Sequence, residues 1–148
     1  IKNTWRQKKI KWDTILMKNK IAVVISDYYK EITNGLTDGF NSEINKNFEV
    51  SLYYVTGAWE ILYKINSLTK HYDKFVAVGA IVKGETDHYD YISSGVTNGL
   101  VNLTINKDIY ISNCVLNVHH IEDATNRSKK NNRNKGIESA KAINNLFS

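Results

Sequence analysis

Val76–Tyr91 reads V-A-V-G-A-I-V-K-G-E-T-D-H-Y-D-Y, and the fold of the chain follows from how this stretch changes character midway. Phe75 to Val82 is an apolar run broken only by small residues, the pattern of a buried strand. It ends in Lys83-Gly84-Glu85-Thr86, after which Ile92, Val96, Leu100 and Leu103 recur on one helix face. A buried strand turning through glycine into a helix is where open α/β sheets hold ligands, outside the strand's carboxyl end and facing a helix N-terminus. Thr86 is the expected N-cap, with Asp87 and Asp90 in a first turn whose dipole favours acids. His88 then lies at the mouth of the sheet. There the dipole disfavours an imidazolium, so the expectation is a neutral ring able to take and return a proton. A surface histidine that follows a cap is the plain alternative.

Working outward, the same alternation repeats. Lys20–Ile25 reads as a strand, followed by a helix face of Ile32, Leu36, Phe40 and Ile44. Phe48–Val55 is a second strand, and Ala58, Ile61, Leu62, Ile65 and Leu68 mark a second helix. Asp108–Leu116 reads as a fourth strand, and Gly136, Ala140, Ile143 and Phe147 as a closing amphipathic helix. Strands alternating with helices imply parallel βαβ units with right-handed crossovers. The expected architecture is a three-layer α/β/α sandwich of flavodoxin-like type on a four-stranded parallel sheet, one domain over residues 20–148. Neither a G-x-G-x-x-G nor a Walker pattern occurs, so no motif supports a dinucleotide or nucleoside-triphosphate role.

Composition bounds the function further. With 148 residues, 42% hydrophobic and 24% charged, the chain suits one globular domain with a sizeable core. No apolar run approaches the roughly 18 residues that span a membrane. Cys114, the single cysteine, sits in an apolar strand and reads as a buried inert thiol, so no cysteine metal site is expected. His119 and His120 are adjacent, do not share a helix face and make a poor metal pair. The net charge of +5 is uneven: residues 1–20 hold seven basic side chains against Asp13, which leaves the body near neutral. A basic arm over residues 1–19, carrying Trp5 and Trp12, reads as a solvated tail rather than a nucleic-acid surface. Were nucleic acid its partner, binding would depend strongly on salt and vanish without the arm.

The segment Gly79–Tyr91 resembles the signature of the lumazine synthase (6,7-dimethyl-8-ribityllumazine synthase) family: glycine, three substrate-facing residues, a basic residue, G-E-T or G-A-T, one variable residue, then H-[FY]-[DE]. The resemblance extends over about residues 20–147. Gly57-Ala58-Trp59-Glu60-Ile61 matches the family's P-G-[AS]-[FW]-E-[IL]-P, with Thr56 and Leu62 where prolines are usual. Arg127 and Asn134-Lys135-Gly136 match its C-terminal pattern, while Lys129-Lys130-Asn131-Asn132 replace the intervening glycines. Tyr29 and Asn113 stand where the family has Asn and Phe.

The resemblance implies an enzyme that condenses 5-amino-6-(D-ribitylamino)uracil with 3,4-dihydroxy-2-butanone 4-phosphate in riboflavin biosynthesis, without metal or cofactor. It assigns proton transfer to His88. Tyr28, Gly57, Ala58, Trp59, Glu60, Ala80, Ile81, Val82, Asn113 and Lys135 would bind the pyrimidine and its ribityl chain. Gly84, Glu85, Thr86 and Arg127 would take the phosphate, Glu85 through its backbone N–H because its carboxylate repels a dianion. It further implies a homo-oligomer, pentamer or 60-subunit shell, with sites between subunits, and riboflavin synthase as a partner. The location it implies is cytoplasmic, or plastidic if residues 1–19 are a transit-peptide remnant. The alternative is a catalytically weakened relative that binds ligand or forms a shell.

Overall fold

The computed structural model describes residues 17–147. The basic arm expected over residues 1–19 therefore lies outside the described residues, except for its last three. Nine elements follow: β1 (Lys20–Ser26), α1 (Lys30–Glu43), β2 (Glu49–Val55), α2 (Ala58–Leu68), β3 (Lys74–Val82), α3 (His88–Lys107), β4 (Tyr110–Val118), α4 (Ile121–Asn126) and α5 (Lys135–Phe147). The four strands form one all-parallel sheet in the order β2-β1-β3-β4. This is the α/β sandwich read from the sequence.

Both faces of the sheet are covered, which is why β1 and β3 are apolar at consecutive positions rather than alternating. Ile21, Val23 and Ile25 of β1 join Val76, Val78 and Ala80 of β3 in one core, packed with Ile32, Leu36 and Phe40 of α1 and Ala140 and Ile143 of α5. Ala22, Val24, Phe75, Ala77 and Ile81 face the other layer, against Ile61 and Ile65 of α2 and Val96 and Leu100 of α3. Each fully buried Leu, Ile, Val or Phe contributes about 1.5–3 kcal/mol over leaving it exposed. Burial pushes the Cys114 thiol up to about 12, in keeping with the inert reading.

The expected start of β4 needs correction. Asp108 adopts φ 52°, ψ 52° as the C-cap of α3, and its N–H donates to the Thr104 carbonyl. An aspartate tolerates the left-handed region better than most residues, so the chain turns there and the strand begins two residues later. The cap before α3 also differs from expectation: the helix opens at His88 with Asp87 as N-cap. Thr86 still serves it from one position further back, its Oγ1 accepting the His88 N–H at 3.3 Å.

Two side-chain devices hold the layer of α1 and α5 and the edge of the sheet. Asn134 is buried between α1 and α5. Its Nδ2 donates to the carbonyls of Gly35 (3.1 Å), Ser128 (3.1 Å) and Lys129 (3.0 Å). Its Oδ1 accepts the N–H of Gly136 (2.8 Å) and Ile137 (3.2 Å), capping α5. A Cβ at Gly136 would strike the Leu36 carbonyl, and one at Gly39 would strike the Asn134 side chain, so the two helices meet backbone to backbone. At the β4 edge, the Val115 N–H donates to Asn113 Oδ1 (3.0 Å) and its carbonyl accepts from Asn117 Nδ2 (3.3 Å).

Candidate active site

The strand order reverses direction at β1: the chain runs outward to β2, then crosses back to β3. Ligands in open α/β sheets sit at such a switch point, beyond the carboxyl ends of the strands. A cavity of about 260 Å³ lies there, with Ser26, Tyr28 and Tyr29 after β1 and Ala80, Ile81 and Val82 closing β3. Gly57 and Ala58 enter from the start of α2, and His88, Tyr89 and Ile92 from α3. Seven residues singled out by the sequence meet here: Tyr28, Gly57, Ala58, Ala80, Ile81, Val82 and His88. Ser26, Tyr29, Tyr89 and Ile92 line it as well without having been assigned as site residues, Tyr29 having been marked only as a departure from the family pattern. Ser26 could have been found as the residue that ends β1 at the register of Val55.

The wall is apolar at Ala80 and Ile81, both nearly fully buried, and polar at the rim. The Tyr28 ring is 73% exposed and meets the Tyr29 ring edge-on at 4.9 Å between centroids. Tyr29 occupies the N-cap of α1 with no side-chain hydrogen bond, packing against the core instead, and the Thr33 hydroxyl and N–H take its carbonyl. Gly57 is extended, φ −141°, so the turn does not itself demand glycine. A Cβ there would come within 3.3 Å of Glu60 Oε1, which accepts the Thr56 hydroxyl at 2.9 Å.

Trp59 turns away from the cavity to α3, where a Cβ on Gly95 would stand 2.8 Å from its ring. Gly84, Glu85 and Thr86 form an exposed loop next to His88, and their amides donate to no acceptor among the described residues. Such open amides can meet an anion.

Asn113, Arg127 and Lys135 gather elsewhere. They line a cavity of about 440 Å³ between β4, α4 and α5, with Val118, Asp123 and Arg133. Val82 and Val118 are register partners, so both cavities lie at the same end of the sheet. Arg127 Nη2 and Lys135 Nζ both reach the Glu138 carboxylate, at 3.2 Å and 2.8 Å. The Lys135 hydrogen bond holds the Glu138 carboxyl below its usual value, with Arg127 adding to the effect. A depressed carboxyl contributes stability above its unfolded pKa and loses it as pH falls through the folded value. Because Glu138 is 61% exposed, that contribution is small. Glu138→Gln is expected to shift Tm by no more than about 3 °C at neutral pH, and by less in acid, in a Tm–pH series. A larger loss in acid than at neutrality would contradict this pairing.

No helix among the described residues is long and apolar enough to cross a membrane, and none of their His, Cys, Asp and Glu side chains cluster as a metal site.

The family model described as 6,7-dimethyl-8-ribityllumazine synthase matches residues 18–148 of the chain. Among curated proteins, the chain is similar to the 6,7-dimethyl-8-ribityllumazine synthase of Buchnera aphidicola, 37% identical over 142 residues and 89% of each chain. It is 34% identical over 128 residues to the protein of that name from Christiangramia forsetii, covering 82% of this chain and 76% of the relative. The corresponding protein from Limosilactobacillus reuteri is 34% identical over 84% of each chain.

Proposed function

The chain belongs to the 6,7-dimethyl-8-ribityllumazine synthase family, and we propose that it condenses 5-amino-6-(D-ribitylamino)uracil with 3,4-dihydroxy-2-butanone 4-phosphate, releasing phosphate and water. The observation that carries this is the cavity at the β1/β3 switch point, where seven separately assigned residues line one space. Strand-end backbone at Ala80–Val82 offers donors and acceptors to the edge of a flat ring, and Tyr28 stands at the rim to stack on it. His88, at the mouth, exchanges protons during imine formation, phosphate loss or ring closure. Much of the acceleration comes from holding the two substrates together, which needs no metal or cofactor.

Arg127 supplies a cation for the phosphate, together with the open amides of Gly84–Thr86, and Lys135 reaches the pyrimidine and its ribityl chain. Arg127 and Lys135 line a different cavity of the same chain from His88. A second copy completes the site: the β4–α5 side of one subunit closes over the switch-point cavity of the next. The assembly is then a homo-oligomer, a pentamer or a 60-subunit shell built from pentamers. Beside the β4 cavity, Val101 and Ile105 of α3 are 51% and 72% exposed, an apolar surface suited to such a contact.

The test is to mix purified protein with both substrates and follow lumazine by absorbance and fluorescence, subtracting the uncatalysed condensation. Product above background from an oligomeric protein is the expected result. Tight lumazine binding with no rate above background would instead leave a ligand-binding or shell-forming protein. Beside Tyr29 and the replaced glycines at 129–132, Asn113 supports that second reading, because its amide is engaged by its own strand where the family places an aromatic cover.

A further inference from the structure

We propose that Arg133 is a further phosphate-binding residue, supplying the net positive charge of the β4–α5 cavity. This deepens the function proposed above and rests on it. Three cations line the cavity: Arg127, Arg133 and Lys135. Two are committed, since Glu138 spans Arg127 and Lys135. Asp123 lines the cavity as well. Arg127 and Lys135 are thus matched by Glu138 and Asp123, and without Arg133 these four charges cancel. Arg133 has no ion-pair partner among the described residues.

The backbone amides cannot substitute for it. The Lys135 N–H donates to the Arg127 carbonyl, and those of Gly136 and Ile137 to Asn134 Oδ1. The Glu138 N–H donates to the Asn134 carbonyl. The start of α5 therefore offers no free donor, and on this side of the site an anion must be met by side chains. Arg133 is placed for this. Its N–H donates to Asn131 Oδ1 at 2.8 Å, and its carbonyl accepts from Arg127 Nε at 3.3 Å. Its backbone is anchored while its guanidinium is free to fork onto phosphate oxygens. The Arg127 bond holds the Arg133 backbone beside Arg127, and both residues line the one cavity, where their guanidinium groups can act on one ligand. That ligand is a dianionic phosphate monoester or the inorganic phosphate released from it.

The experiment compares wild type, Arg133→Ala, Arg133→Lys and Lys130→Ala. Lys130 belongs to the same basic run, carries the same charge and does not line the cavity. In Arg133→Ala, KM for the phosphorylated substrate and the inhibition constant of inorganic phosphate should each rise about 5- to 10-fold. The kcat and the dissociation constant of lumazine, which has no phosphate, should hold. Arg133→Lys should recover part of the loss, and Lys130→Ala should match wild type. Unchanged phosphate constants in Arg133→Ala, or an equal rise in Lys130→Ala, would overturn the proposal. Calorimetric titration with inorganic phosphate alone separates it from the catalytic reading. If wild type makes no lumazine yet binds phosphate, and Arg133→Ala binds it 5-fold or more weakly, Arg133 keeps its role and only the catalytic reading fails.

Discussion

His88→Ala is expected to lower the kcat of lumazine formation by about 10- to 100-fold and to leave KM for either substrate within about twofold, at or below the low end of what general acid–base groups contribute. The low end follows from the site. His88 is exposed at the cavity mouth, so water can carry part of the proton traffic once the imidazole is gone. In the proposed mechanism much of the acceleration comes from bringing the amine and the carbonyl together, which the mutation leaves intact. Nor does His88 hold the fold: its N–H donates to Thr86 Oγ1, a main-chain bond that alanine preserves. The expected signature is a split, with kcat down and Tm and ligand affinity unchanged. Unchanged kcat would remove His88 from the chemistry, and a parallel loss of affinity would make it a binding residue.

Asn134→Ala should cost about 3–5 kcal/mol, roughly one from the lost cap and the remainder from stranded buried carbonyls and amides. One side chain serves three carbonyls and two N–H groups there. At about 2–4 °C per kcal/mol for a chain of this size, Tm falls by roughly 6–20 °C. Thermal unfolding at fixed protein concentration measures it, since assembly would otherwise shift the midpoint. Asn134→Asp keeps the accepting oxygens but aims a carboxylate at three carbonyls, and is expected to be no milder. A loss below about 1 kcal/mol in both would mean that water replaces these bonds, which the close contact of Gly39 and Gly136 with Asn134 argues against.

The fold was legible because its signals are local. Apolar runs at Ile21–Ile25 and Phe75–Ile81 and helix faces such as Ile32-Leu36-Phe40 can be read without knowing what they touch. β4 was misplaced by two residues at its start because a left-handed aspartate at 108 has no strong mark in the sequence. The switch-point cavity was legible to the extent that its residues flank strand ends at fixed offsets. The position of Trp59 on Gly95, the sharing of Glu138 by Arg127 and Lys135, and the reach of Asn134 to Gly35 depend on contacts between distant segments. Gly35 and Asn134 are 99 positions apart, and no periodicity links them. Asn134 entered the reading as part of a motif, and only the packed helices show that it joins them.

The Asn113 and Asn117 amides have a consequence for how copies of this chain can stack. A parallel sheet with two open edges can be extended from either side, the geometry from which fibrils grow. Here the Val115 N–H and carbonyl are already taken by side chains of their own strand. An incoming strand at β4 would have to displace both, which leaves β2 as the receptive margin among the described residues. A sheet that can be lengthened on one side only terminates after a single addition. The polypeptide can thus reach high local concentration without its sheets templating one another into filaments.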